Sequence, residues 1–188
     1  MAAGLAWAQL AAAGPLDDAG AMKSITRSAC HGAGGNSRSD AIPIIAGLDP
    51  AYFKQQIAAY AAGKRPSPEM EPYAKEVQAL GVDEIAGYFA RQKMQPTPIR
   101  VSPAAVERGR VAAAACVVCH GQDGTGDRAK LIPSLAGQPP AYLRNQMILF
   151  KQDRRNPGDA GLAALKALMR TLPDATFDDL AAYYASLR

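Results

Sequence analysis

Ala115-Cys116-Val117-Val118-Cys119-His120-Gly121 reads C-x-x-C-H, the attachment sequence of a c-type haem. The two thiols stand three residues apart, so one turn of backbone presents both sulfurs to the two vinyl groups of a single porphyrin. The adjacent imidazole then comes up beneath the iron. Two other chemistries use such residues. A structural zinc ion takes four ligands, and beyond Cys116, Cys119 and His120 the chain offers only Cys30 and His31, which belong to an equivalent place of their own. A redox dithiol follows a strand and opens a helix, whereas Val111 to Ala115 is an Ala-rich helical run and the loop beyond is rich in glycine. Haem attachment is the reading these residues favour.

Working outward, the second half of the chain repeats the first. Ile42-Pro43-x-x-Ala46-Gly47 returns as Ile132-Pro133-x-x-Ala136-Gly137, and Ala51-Tyr52 with Gln56 returns as Ala141-Tyr142 with Gln146, all at an offset of 90 residues. Cys30-His31-Gly32 matches Cys119-His120-Gly121 at an offset of 89. Asp83-Glu84-Ile85-Ala86 matches Asp178-Asp179-Leu180-Ala181 at an offset of 95, so the second unit holds about five extra residues, most simply in the loop Gln152 to Gly161. The 188 residues therefore divide into an N-terminal segment 1–16, a first unit 17–94, a linker 95–103 and a second unit 104–188.

Each unit reads as helical, with loops around the cofactor. The first helix runs up to Cys30-His31. Asp49-Pro50 supplies an N-cap and a first-turn proline for a helix through about Ala62, closed by Gly63. A proline-rich loop, Pro66 to Pro72, carries Met70, and a final helix covers Val82 to Lys93. Gln95 to Pro103 has no periodicity and three prolines, the signature of a stiff linker. Helices recur at Ala104 to Cys116, Ala141 to Gln152, Gly161 to Arg170 and Phe177 to Leu187, and no strand run of convincing length is present.

Composition fits a cofactor at the centre of each unit. Aromatic residues make up only 6% of the chain and alanine is abundant, so the side chains alone form a thin core for units of about 85 residues. The formal net charge of +4 would be largely offset by haem propionates, and the basic residues are scattered. The short pairs Lys64-Arg65 and Arg154-Arg155 read as solvated surface, so no nucleic-acid partner is expected. Three cysteines give no disulfide framework. Ala2 to Ala13 is apolar and ends in small residues, but no Lys or Arg precedes it; it reads as a truncated export signal or as an ordinary N-terminal helix. It is too short to span a bilayer, and no transmembrane segment is expected elsewhere.

With these blocks in view the chain resembles the two-domain, two-haem cytochromes c of the cytochrome c4 group, from about Asp17 to Arg188. The likeness is carried by the C-x-x-C-H at Cys116 to His120, the twice-used I-P-x-x-A-G block and the A-Y-x-x-x-Q helices. Met70-Glu71-Pro72-Tyr73-Ala74-Lys75 and the terminal helices with Gly87-Tyr88-Phe89-Ala90 and Ala182-Tyr183-Tyr184-Ala185 extend it. The resemblance implies an all-α fold of two tandem class I cytochrome c domains, each wrapped around one haem c. It further implies export to the periplasm, one-electron transfer rather than catalysis, and His and Met as axial ligands. Pro43 and Pro133 would offer their carbonyls to His31 and His120, fixing tautomer and ring angle.

The chain departs from that pattern twice. Arg27 stands where Cys116 has its match, so the first attachment reads R-S-A-C-H and allows a single thioether through Cys30. Either a first haem is held by Cys30, His31 and Met70, or the unit has kept the fold as a haem-free docking module; the retained haem is favoured. In the second unit the position of Met70 is taken by Leu165, and Met169, one helical turn farther on, is the candidate sixth ligand. A core role for Met169 is the competing reading, and Met147 reads as core. The function expected is single-electron transfer between a dehydrogenase or quinol-oxidising complex and a terminal oxidase or reductase, as a free carrier or as a subunit held at the membrane by its partner. The alternative is a haem enzyme or small-ligand-binding protein acting at an incompletely ligated second haem.

Overall fold

The computed structural model describes residues 18–156 and 162–188. The expectations for the N-terminal segment, for the tip of the Gln152 to Gly161 loop and for a helix beginning at Gly161 lie outside the described residues.

The first unit contains α1 (Ala19–Ser24), α2 (Ser28–His31), α3 (Pro50–Ala61) and α4 (Met70–Arg91). The second contains α5 (Pro103–Ala112), α6 (Val117–His120), α7 (Pro140–Lys151), α8 (Leu162–Thr171) and α9 (Asp174–Ser186). Among the described residues there is no strand, only an isolated bridge between Asp127 and Ile132. None of these helices is long and apolar enough to cross a membrane.

Two differences from the sequence reading matter for the sites. The helix expected to run unbroken to His31 is interrupted by a 3-10 turn at Ile25–Arg27; the β-branched pair Ile25-Thr26 and the flanking serines are poor helix formers. Met70, expected within a loop, opens α4 instead. Ser67 prepares that start, its Oγ accepting from Met70 N–H at 3.2 Å while its own N–H donates to Glu71 Oε1 at 3.1 Å. Pro72 is tolerated because first-turn amides have no partner within a helix. The helix then bends at Gly81, whose φ of 112° is open to glycine and strained for other residues.

Apolar side chains gather in two clusters. Phe53, Ile57, Tyr60, Ala74, Val77, Ile85, Ala86 and Phe89 form the first, with Met70 packed partly against it. Leu143, Met169, Phe177, Leu180, Ala181 and Tyr184 form the second. In each unit the N-terminal helix crosses the C-terminal helix at a glycine: a Cβ on Gly20 would overlap the Glu84 carbonyl oxygen, and one on Gly109 the Asp179 carbonyl oxygen. The linker is not free, since Thr97 is buried and its N–H donates to Gly137 O at 2.7 Å.

Candidate haem sites

The two attachment turns are built alike. Each is one helical turn closed by a glycine at positive φ, Gly32 at 76° and Gly121 at 73°, whose N–H reaches back to Ser28 O at 3.1 Å and to Val117 O at 2.9 Å. Cys116 and Cys119 thus stand at the two ends of one turn; Cys119 is exposed, and Cys116 is half-buried against the second apolar cluster. Burial pushes the Cys116 thiol up, against the opposing effect of the Tyr184 phenol. In the first unit Cys30 is exposed and Arg27 takes the position of the inner thiol.

Each proline block is pinned beneath its turn by a repeated set of hydrogen bonds. Ile45 and Ala46 N–H both donate to Gly35 O, at 2.8 and 3.1 Å, and Leu135 and Ala136 N–H both donate to Gly124 O, at 2.8 and 3.2 Å. Gly47 N–H donates to Phe89 O at 2.8 Å and Gly137 N–H to Tyr184 O at 2.9 Å, tying each block to the C-terminal helix of its unit. The proline carbonyl is thereby aimed at the histidine. His31 Nδ1 lies 2.9 Å from Pro43 O, and His120 Nδ1 lies 3.0 Å from Pro133 O. A carbonyl oxygen only accepts, so Nδ1 carries the hydrogen in both rings and Nε2 keeps a lone pair for a metal. Burial holds both imidazoles below the usual histidine range, against the opposing carbonyl bonds, with the Arg27 charge adding to the effect at His31. Neutral imidazole is the form that ligates.

The methionines fall in different settings. Met70 and its counterpart Leu165 are both partly buried and packed on the cluster of their own unit. Met169 is buried within the second cluster, at the position that Ala74 fills in the first. Met147 packs partly against that cluster.

A further group of residues lies buried although its charge pattern in the sequence points to solvent. Arg65 and Arg155, expected on solvated surface, are instead 4% and 8% exposed and converge on the same glutamine oxygens between the units. Arg65 donates to Gln146 Oε1 at 2.9 Å, Gln56 Oε1 at 2.8 Å and Tyr142 OH at 2.9 Å. Arg155 donates to the same two oxygens, Gln146 Oε1 at 2.9 Å and Gln56 Oε1 at 3.0 Å, and to Tyr52 OH at 3.1 Å. Among the described residues neither forms an ion pair with a carboxylate. Burial opposes ionisation of Tyr142, yet the two guanidinium groups outweigh it and hold its phenol below the usual tyrosine range. Two buried cations drawn to shared neutral oxygens make a place for anions, and haem propionates are carboxylates that fit it. The signal was available in the repeat, because the two arginines stand at the offset of 90 that relates Tyr52 to Tyr142 and Gln56 to Gln146.

Known proteins resemble this chain in both sequence and fold. The cytochrome c family model matches residues 106–188. Cytochrome c4 of Pseudomonas aeruginosa is 34% identical over 149 residues, covering 75% of this chain and 74% of that protein. A thiosulfate dehydrogenase electron acceptor of Thiomonas intermedia is 34% identical over 154 residues, covering 76% of this chain and 70% of that one. The crystal structure of reduced cytochrome c4 from Pseudomonas stutzeri superposes with a TM-score of 0.79 at 27% identity, over 90% of this chain and 97% of its own. Haem c is the cofactor expected of such proteins, and Cys116 and Cys119 supply its C-x-x-C. This all-helical chain of two cytochrome c domains belongs to the cytochrome c4 family of electron carriers.

Proposed function

We propose that the chain holds two haems c and passes single electrons, in the periplasm, between a dehydrogenase or quinol-oxidising complex and a terminal oxidase or reductase. The observation that carries this reading is the twofold occurrence of one arrangement: an imidazole whose Nδ1 is committed to a proline carbonyl, at 2.9 Å for His31 and 3.0 Å for His120. Cys30 would hold the first haem by a single thioether, with His31 and Met70 as the residues that would bind its iron. Cys116 and Cys119 would hold the second, with His120 as an iron ligand and Met169 as the candidate for the other. Bound iron porphyrin with imidazole and thioether ligands supplies a one-electron couple of raised potential. The chain's part is to keep both imidazoles neutral and aimed, and to balance buried carboxylates with Arg65 and Arg155. Relatives named as electron acceptors of thiosulfate dehydrogenase make such a dehydrogenase the donor to test first, whether this chain acts as a free carrier or as a subunit docked to a membrane-bound partner.

A pyridine haemochrome spectrum with intact mass is expected to give two haems per chain, and Cys30→Ala to leave the first haem extractable by acidic solvent while the second stays bound. One haem per chain would instead make the first unit a haem-free docking module.

Leu165 in the place of Met70, with Met169 inside the apolar cluster, favours a second reading in which the second haem lacks a protein sixth ligand and binds small molecules. Adding carbon monoxide to the reduced protein separates the two: an unchanged spectrum supports two fully ligated haems, and a shifted one supports ligand binding at the second.

A further inference from the structure

The first unit lacks one attachment thiol, and three of its positions differ from the second unit together. Arg27, Tyr73 and Glu76 stand where the second unit has Cys116, Leu168 and Thr171. The three meet. Arg27 Nη2 donates to Glu76 Oε1 at 3.0 Å, and the guanidinium carbon lies 5.7 Å from the centre of the Tyr73 ring. The Arg27 side chain is 8% exposed and that of Glu76 46%, and Arg27 Nε is buried with no hydrogen-bond partner. Cysteine, leucine and threonine could form none of these contacts, so the second unit has no counterpart.

We infer that Arg27, Glu76 and Tyr73 form a strap that takes over, in the first unit, the anchoring that a second thioether gives the second. The inference rests on the two-haem reading above. Arg27 ends the 3-10 turn that leads into α2, which carries Cys30 and His31. Tyr73 and Glu76 lie on the segment of α4 between Met70 and the bend at Gly81. The strap therefore joins the turn that carries His31 to the segment that carries Met70. Lys23–Glu84, Arg91–Asp18 and Lys54–Asp83 tie α4 to α1 and α3 beyond the bend, and before the bend Arg27–Glu76 is the ion pair that α4 makes among the described residues. The strap would also place a cation near the first haem, at the position where the second unit has the Cys116 sulfur. A buried positive charge disfavours the ferric state, which carries one more positive charge than the ferrous, and so raises the potential of that haem.

The test uses the haem-loaded protein, titrated spectroelectrochemically and challenged with imidazole while the thioether-to-iron charge-transfer band is followed. Arg27→Leu is expected to lower the potential of the first haem and to speed displacement of its thioether about fivefold, the size of one part-buried ion pair. Glu76→Gln is expected to speed displacement as well but to move the potential upward, because it removes the anion that offsets Arg27. Opposite signs on the potential distinguish a charged strap from a loss of packing, which would move both variants the same way. Arg27→Cys restores C-x-x-C-H, the introduced thiol adding its S–H across the remaining vinyl group with no leaving group. The first haem should then take the haemochrome band position of the second and resist imidazole at least as well as wild type. With two haems bound, potentials and displacement rates unchanged in both Arg27→Leu and Glu76→Gln would overturn the strap. One haem per chain in the wild type would overturn the two-haem reading and the inference that rests on it.

Discussion

Gln138 lies in the second unit, yet its amide closes on the main chain of the first. Ile44 N–H donates to Gln138 Oε1 at 3.0 Å, and Gln138 Nε2 donates to Ile44 O at 2.8 Å. Ile44 follows Pro43, the residue whose carbonyl accepts from His31, so one unit steadies the histidine of the other. The first unit has Leu48 at the matching position and returns no such bond. Gln138→Leu would leave a buried donor and a buried acceptor on Ile44 unpaired, and urea unfolding of the haem-loaded protein should show a loss of about 2–4 kcal/mol. At this scale the sequence was readable where chemistry demands a residue type. Cys116, Cys119, His120 and His31 could be picked out because few side chains do what theirs do. Gln138 could not, since a glutamine after a glycine carries no mark of the partner it meets 94 positions away. Arg65 and Arg155 were misjudged for a related reason: charge pattern reports solvation only when burial is known.

Helix boundaries were legible wherever capping chemistry is local. Asp49 Oδ1 accepts from Tyr52 N–H at 2.9 Å and starts α3 where the Asp-Pro pair places it. In α7 the matching residue is Pro139, which has no such oxygen, and the cap comes from the other unit: Ala141 N–H donates to Asp40 Oδ1 at 3.0 Å and Tyr142 N–H to Asp40 O at 3.0 Å. The first half of α4 was hidden because Pro66 to Pro72 resembles a loop, and the bonds of Ser67 with Met70 and Glu71 turn it into a helix start. The crossing of terminal helices was hidden as well, although Gly20 and Gly109 stand at the offset of 89 that relates the two attachment turns. Glycine at these crossings serves close approach rather than turning, so no breaker signal accompanies it. Gly109→Ala would drive a methyl group into the Asp179 carbonyl and Tyr183 Cβ, forcing α5 and α9 apart. A cost of about 1–3 kcal/mol is expected in chemical denaturation, with α7 following because it packs on α9.

The two units meet by exchange. Arg65 reaches Tyr142 while Arg155 reaches Tyr52, and each guanidinium takes the glutamine oxygen of its own unit and of the other, the self-complementary pattern of a twofold interface written into one chain. Such a centre has two possible energetics. If the cations met only each other and neutral oxygens, they would repel, and removing either would relieve the other. The double substitution would then cost more than the sum of the singles. If carboxylates of both haems lie among them, each arginine holds anions and oxygens that the other also holds, and the first substitution already forfeits part of what the second would remove. Arg65→Met, Arg155→Met and the double variant, each haem-loaded and unfolded in urea, measure that coupling. The double is expected to cost about 1–3 kcal/mol less than the sum. A cost above the sum would mean that the cations face one another unneutralised and that the haem carboxylates lie elsewhere. The sign of the coupling in the haem-loaded chain therefore reports whether the carboxylates of the two cofactors lie among these arginines.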